Sequence, residues 1–556
     1  MNTPICDFVR KYAESRTLRL HMPGHKGVRL LGMEESDITE ICGADSLYEA
    51  EGIIRESEEN ASSLFGAHTF YSVEGSSLSI RAMLYLVLQY ARTLGKKPLI
   101  AAGRNAHRVF LGAAALLNMD VDWLDATLPH SYLSCKPDLD ALEKRLAEEA
   151  TRPVAVYITS PDYLGNTANV RAIADLCHRH GVLLLVDNAH GAYLKFLPTS
   201  CHPIDLGADL CCDSAHKTLP ALTGAAYLHI AKHAPAFFAA QAKSALSMFG
   251  STSPSYLILQ SLDAVNAYLA NGYRECLSAF IRDIEVARDK LTAHGYRFHG
   301  DEPLKLTVDA KAYGYTGTEL ADQLRERRIE CEFADPDFTV LMLTPEIGHD
   351  GLQRLTEALL EIPPKEPIRE TPPALSPTAR VLSVRDAVLA PCERILASES
   401  QGRVLAQASV ACPPAVPIVI PGEQITAEAV KCFDYYGITA FREICHPDWR
   451  IYAESCLNIP EENLRAAARV VDHFFIDIKD MDPAIYSAYT GKDNTLVKSN
   501  LALLLSLVGA DRITVRVPHI PGFNTDSDVE ASVAELTAMG VTVFDVFAYK
   551  IPTKKV

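Results

Sequence analysis

Short apolar runs alternate with stretches of helical period through the middle of the chain. The runs at 98–103 (PLIAAG), 154–160 (VAVYITS), 182–187 (VLLLVD) and 225–230 (AAYLHI) have the length of buried strands. Between them, 138–150 (DLDALEKRLAEEA) and 169–181 (NVRAIADLCHRHG) place apolar residues at helical spacing. Nearly continuous apolar strands separated by amphipathic helices predict a mostly parallel sheet with helices on both faces. This large α/β domain is predicted over 61–253, preceded by a mixed segment at 1–60 that reads as an arm rather than a core.

Pro254 opens a long apolar-periodic helix, and residues 254–362 read as a smaller α/β domain. It contains the strand pattern LKLTVDA, a capped helix at TGTELADQLRERR, a second strand at VLMLTP and a last helix at DGLQRLTEALLEI. The next segment, 363–380 (PPKEPIRETPPALSPTAR), holds six prolines and predicts a linker. A small module follows at 381–440, and from 441 to 556 strand and helix patterns alternate again.

Composition narrows the function classes. At 556 residues, 48% of them hydrophobic, the chain can build several cores. A net charge of −17 disfavours nucleic acid and anionic membrane as partners, which need clustered Lys and Arg. No apolar stretch has the length of a membrane span, and the N-terminal segment lacks a signal-type apolar core, so a cytosolic protein is expected. The 14 cysteines then read as reduced, buried thiols. They contain no CxxC pair, and no metal site is expected.

Three segments can carry chemistry. SAHKTLPALTG (214–224) sets Lys217 among small and polar residues near a strand end, where an amine can act as an imine-forming nucleophile. LLLVDNAHG (183–191) delivers Asp187 at the carboxyl end of a strand, where open α/β sheets bind ligands; there it can pair with a protonated pyridine nitrogen. YSVEGSSLSIRAML (71–84) leads a small-residue turn into a helix, so free amides and the Ser76 and Ser77 hydroxyls can cradle a phosphate. Each also has a structural reading: a surface lysine, a capping aspartate, a serine-capped helix. Their order and spacing are those expected for pyridoxal phosphate on an aspartate-aminotransferase-like fold.

Residues 1 to about 440 resemble the short form of the Orn/Lys/Arg decarboxylase family. The matching runs are HMPGHKG (21–27), DITEICGADSL (37–47), EGIIRESEENASSLFGA (51–67), RNAHR (104–108), ITSPDYLG (158–165), VDNAHGAY (186–193), SAHKTL (214–219), STSPSYLILQSLD (251–263) and CPPAVPIVIPGE (412–423). The resemblance implies fold type I, pyridoxal 5′-phosphate as cofactor, a small basic amino acid as substrate and a part in polyamine biosynthesis. It implies that Lys217 holds the cofactor covalently, Asp187 pairs with its ring nitrogen and His107 stacks on the ring. His190 would sit beside the ring near Asp187. Ser76, Ser77, Ser214 and His216 would hold the phosphate, and Lys217 or His216 would return a proton to Cα after carbon dioxide leaves. It also implies a homodimer or a multiple of one, with residues 251–256 approaching the partner's cofactor. Three positions depart from the family pattern: Glu74 and Ile80 stand in place of frequent asparagines, and Asn188 in place of a glutamate.

The tail resembles a different family. From about 451, the runs IYAESCLNIPEENL, FFIDIKDMDPAIYSAYTG and VRVPHIPGFNTDSDVEASVAEL are similar to the second half of radical SAM activating enzymes for glycyl-radical enzymes. That resemblance implies a partial β/α barrel, with Asp477, Lys479 and Arg516 near an S-adenosylmethionine site. The CxxxCxxC run that holds the family's iron–sulfur cluster is absent, and Cys445 and Cys456 cannot replace three closely spaced thiolates. The tail therefore reads as a fused fragment without radical chemistry. For the chain as a whole, a basic amino acid decarboxylase is the leading expectation. An aminotransferase, another lyase or a non-catalytic relative are the alternatives.

Overall fold

In the computed structural model the apolar runs become the inner strands of one seven-stranded sheet. Described are residues 1–124, 126–127 (main chain only), 131–374, 378–407, 414–438, 452–469 and 471–548. The chain divides into two compact units, Met1–Ala440 and Phe441–Val556. Residues 412–413 of the CPPAVPIVIPGE run, the junction at 440–441 and Cys445 lie outside the described residues.

In the first unit the strands are β1 (His68–Ser72), β2 (Leu99–Ala102), β3 (Asp120–Trp123), β4 (Ala155–Thr159), β5 (Leu183–Asp187), β6 (Leu210–Asp213) and β7 (Ala226–Ile230). Their order across the sheet is β1-β7-β6-β5-β4-β2-β3. The five strands from β6 to β3 run parallel, and β7 lies antiparallel between β6 and β1. Thr159, Asp187 and Cys212 are level in this register, so the inner strands end side by side at one carboxyl edge. The apolar side chains of β2, β4, β5 and β6 are buried in one cluster with the helices that cover the faces.

Four helices are labelled: α1 (Pro4–Glu14), α2 (Ile53–Phe65), α3 (Gly75–Thr93) and α4 (Arg108–Leu117). The N-terminal segment is not a separate arm. Ile5, Val9, Leu47, Ile54 and Phe65 are fully or almost fully buried in a second core shared with the small domain. The Asp263 carboxylate accepts the Ile5 and Cys6 amides at 3.0 Å and fixes the start of α1. Helix α2 also crosses position 60, because its buried face extends from Ile54 to Phe65.

The small domain has an antiparallel sheet of β8 (Phe298–His299), β9 (Lys305–Asp309), β10 (Phe333–Ala334) and β11 (Phe338–Met342), in the order β8-β9-β11-β10. The described part of the proline-rich segment is tied to this domain. The Lys365 and Ile368 amides donate to the Tyr313 and Lys311 carbonyls, and Tyr315 Oη donates to the Pro363 carbonyl. The segment after it braces the stretch between β2 and α4. Arg104 makes a two-pronged contact with Glu423 at 2.6 and 2.9 Å, and the Arg108 amide donates to the Ala415 carbonyl.

The second unit has its own buried core around Leu464, Ile476, Leu501, Val515 and Leu536. Its strands β12 (Tyr452–Ser455), β13 (His473–Asp477), β14 (Ile513–His519) and β15 (Phe544–Ala548) are all parallel and lie in chain order. Among the described residues, no helix is long and apolar enough to cross a membrane.

Candidate active site

Strand β5 ends on Asp187, which is 3% exposed. Both of its oxygens are engaged. Oδ2 accepts the Tyr157 hydroxyl at 3.1 Å, and Oδ1 accepts the Ala189 amide at 3.2 Å and faces the Cys212 thiol at 3.6 Å. Such a carboxylate is held in one orientation at the strand ends, facing the place where ligands bind in sheets of this kind.

Lys217 lies in a single helical turn, Ala215–Thr218, directly after β6. Its Nζ is 3.0 Å from His190 Nε2. His190 follows β5, is 6% exposed, and its other nitrogen is 3.4 Å from Lys305 Nζ. The Tyr163 ring meets His190 edge-on at 5.2 Å between centroids. Burial, reinforced by Lys217, Lys305, His107 and His216, holds the His190 imidazole well below the usual histidine range. The ring is therefore neutral.

His107 caps α4: its Nδ1 accepts the Val109 amide at 3.2 Å. Burial lowers its pKa to about 4; the Asp187 charge acts in the opposite sense, and Lys217 and Arg108 add to the lowering. A neutral, flat ring under the influence of both Asp187 and Lys217 suits stacking on an aromatic face.

Helix α3 begins two residues after β1, through Gly75 at φ +70°, a backbone conformation that favours glycine. The Gly75 amide donates to the Gly224 carbonyl at 2.8 Å, which joins this turn to the segment carrying Lys217. Ser76 and Ser77 occupy the first turn of α3, and Ser214 Oγ donates to Ser76 Oγ at 2.9 Å. His216 Nδ1 donates to the Ala225 carbonyl at 2.9 Å, so its neutral ring presents a bare Nε2. Burial is the main cause of its lowered pKa.

The structure thus gathers Asp187, His190, Lys217 and His107 at one edge, joins Ser76 to Ser214 beside them, and sets His216 next to Lys217. The three departures fall in different surroundings. Glu74 Oε1 accepts the Ser251 amide at 2.6 Å, Ile80 is buried in the core, and Asn188 Nδ2 donates to Asp213 Oδ1 at 2.7 Å. Three contributors were missed by the sequence reading: Tyr157, Lys305 and Asp213. A lysine inside the apolar strand pattern LKLTVDA was the one signal available for Lys305; Tyr157 and Asp213 looked like ordinary strand residues.

In the second unit, Asp477 and Arg516 are register partners on β13 and β14, and Lys479 Nζ is 3.5 Å from Asp477 Oδ2. Arg516 also pairs with Glu454 at 3.1 Å and Asp545 at 3.4 Å. The three sequence-predicted residues are brought together, and Cys456 is an exposed free thiol.

The residues of the first unit fit pyridoxal phosphate. An amine, a buried oriented carboxylate, a neutral imidazole face and a hydroxyl-lined helix start are the donors and surfaces that this cofactor requires. Comparison with known proteins agrees. Residues 3–354 match the family model of the Orn/Lys/Arg decarboxylase major domain, and 373–445 match its C-terminal domain. An arginine decarboxylase of Bacillus subtilis (strain 168) is 30% identical over 471 residues, covering 77% of this chain and 92% of that protein. The constitutive lysine decarboxylase of E. coli shares the fold, with a TM-score of 0.61 at 19% identity over 79% of each chain. The tail is similar to the indoleacetate decarboxylase activating enzyme of Tractidigestivibacter scatoligenes, 35% identical over 85 residues that make up 15% of this chain and 26% of that enzyme. Over its first unit, the chain belongs to the Orn/Lys/Arg decarboxylase family, whose cofactor is pyridoxal 5′-phosphate.

Proposed function

We propose that this protein removes the α-carboxylate of arginine as carbon dioxide, leaving the corresponding amine, with Lys217 as the cofactor lysine. The observation that carries the reading is the pairing of Lys217 and His190 at 3.0 Å beside the buried, doubly engaged Asp187. Arginine is favoured over lysine and ornithine because the B. subtilis relative, matched over nearly its whole length, is an arginine decarboxylase.

When bound, the cofactor supplies an electron sink for the pair left on Cα as the carboxylate departs. The chain supplies the rest. Asp187 would accept a hydrogen bond from the protonated ring nitrogen and so keep the ring cationic. His107 offers a neutral ring face. Ser76, Ser77 and Ser214 hydroxyls, with the free amides of α3, hold the phosphate. Lys217 Nζ, or His216 once its bare Nε2 has taken up a proton, returns a proton to Cα. The proposal extends to a cytosolic homodimer, or a multiple of one, in which residues 251–256 approach the partner's site, and to a product used in polyamine biosynthesis. For the tail we propose a fused partial barrel without radical activity.

The test is carbon dioxide release by the purified full-length chain with added pyridoxal phosphate, from arginine, lysine and ornithine separately. Release from arginine well above the other two is expected. Cofactor binding with no release from any of the three would move the function to another pyridoxal phosphate reaction.

A further inference from the structure

The Lys217–His190 contact continues into the small domain. Lys305, on β9, has its side chain 1% exposed and lies 2.7 Å from Glu302 Oε2, which is equally buried. Lys305 Nζ also donates to the Asp162 carbonyl at 3.2 Å and sits 3.4 Å from His190 Nδ1. An ammonium has three N–H donors and no acceptor. Three acceptors surround this one: Glu302 Oε2, Asp162 O and His190 Nδ1. Beyond the pair, Glu302 Oε1 receives the Tyr193 hydroxyl at 3.4 Å.

The consequence passes through the ring. A neutral imidazole has one N–H and one lone pair. If Nδ1 takes a hydrogen bond from Lys305, the proton of His190 must reside on Nε2. That N–H points at Lys217 Nζ across 3.0 Å. An ammonium on Lys217 would set donor against donor, whereas a neutral amine can accept through its lone pair. The neutral amine is also the nucleophilic form.

We propose that Lys305 is a positioning residue that fixes the Nε2–H tautomer of His190 and thereby holds Lys217 as a neutral amine ready to capture pyridoxal phosphate. This rests on the assignment of Lys217 as the cofactor lysine. The other ionisable groups around the pair are His107 at the start of α4, Asp187 at the end of β5 and His216 beside Lys217. Asp187 and Lys217 are electrostatically coupled to His107, and His107 and His216 to His190. Of these groups, Asp187 alone is anionic and favours a charged Lys217; the Lys305 device opposes it.

The test is the rate at which the full-length protein, freed of cofactor, captures added pyridoxal phosphate as a function of pH, followed by absorbance. The proteins compared are wild type, Lys305→Arg and the double variant Lys305→Met/Glu302→Gln, which leaves no unpaired buried charge. In the double variant the midpoint of the profile should move up by about one pH unit, slowing capture roughly tenfold near neutrality, with recovery at alkaline pH. Lys305→Arg keeps a cationic donor and should keep the wild-type midpoint. An unshifted midpoint, or uniform slowing at every pH, would overturn the proposal. A second measurement is independent of any variant: 15N-histidine spectra of the wild-type chain should show His190 protonated on Nε2, and protonation on Nδ1 would equally overturn it. Capture that survives Lys217→Ala would instead defeat the assignment of the cofactor lysine itself.

Discussion

Glu74 caps the helix whose first turn holds Ser76 and Ser77, yet its carboxylate takes the Ser251 amide rather than an amide of its own helix. A phosphate bound at that helix start would meet a nearby negative charge that a neutral side chain would not present. Removing this repulsion is worth on the order of 1 kcal/mol at an exposed, screened position. Glu74→Asn is therefore expected to lower the Kd for pyridoxal phosphate several-fold, read by titration of cofactor absorbance. Equal or weaker binding would show that the Ser251 contact outweighs the charge. Single-residue chemistry was partly legible in the sequence. Lys217, Asp187 and His107 lie in recognisable short runs. Tyr157 and Lys305 reach the same site from strands whose sequence says only that they are buried.

At the scale of elements, the site depends on where β5 and β6 stop. Asp187 ends β5 and Asp213 ends β6, and the two following turns carry His190 and Lys217. Asp213 is fully buried and holds these turns in place. Its Oδ2 accepts His202 Nε2 at 3.0 Å and His229 Nε2 at 3.1 Å, while Oδ1 accepts Asn188 Nδ2 at 2.7 Å. Burial alone would raise its pKa, but the two histidines outweigh burial and keep it well below the usual carboxylate range. Asp213→Asn should cost about 3 kcal/mol, read from denaturant unfolding at neutral pH. Because the folded pKa lies below the unfolded value of about 3.9, this stabilisation is complete above that pH and is lost as pH falls through the folded value. The difference between wild type and variant should stay flat near neutrality and shrink only below about pH 4; a difference that vanishes near neutral pH would contradict the assignment. The long apolar strands were readable from their runs alone. The four-residue β6 and the alternating β1 were not, since so few residues carry little periodic signal. The N-terminal segment read as an arm because its buried residues are scattered among charged ones; their partners lie far along the chain, as with Ile5 and Asp263, 258 positions apart.

The whole molecule joins two compact units with separate cores. Every residue placed at the candidate site lies in the first, as do the braces from Glu423 and Ala415 to the loop carrying His107. A chain ending after residue 440 is expected to keep the decarboxylase activity of the full chain to within a few-fold, measured as carbon dioxide release. Loss of activity with the fold retained would give the tail a role that its fragmentary likeness does not suggest. The two-part organisation was visible in the sequence through two unrelated sets of motifs. The chain of contacts that links Lys217 through His190 to Lys305 was not, because its second step joins positions 115 residues apart. The central claim is that this edge holds pyridoxal phosphate on Lys217. The most direct measurement is to load the full-length protein with the cofactor, fix the linkage with borohydride, digest, and locate the added mass by mass spectrometry. The account predicts a single modified peptide, with the label on Lys217. A label on another lysine, or none at all, would contradict it.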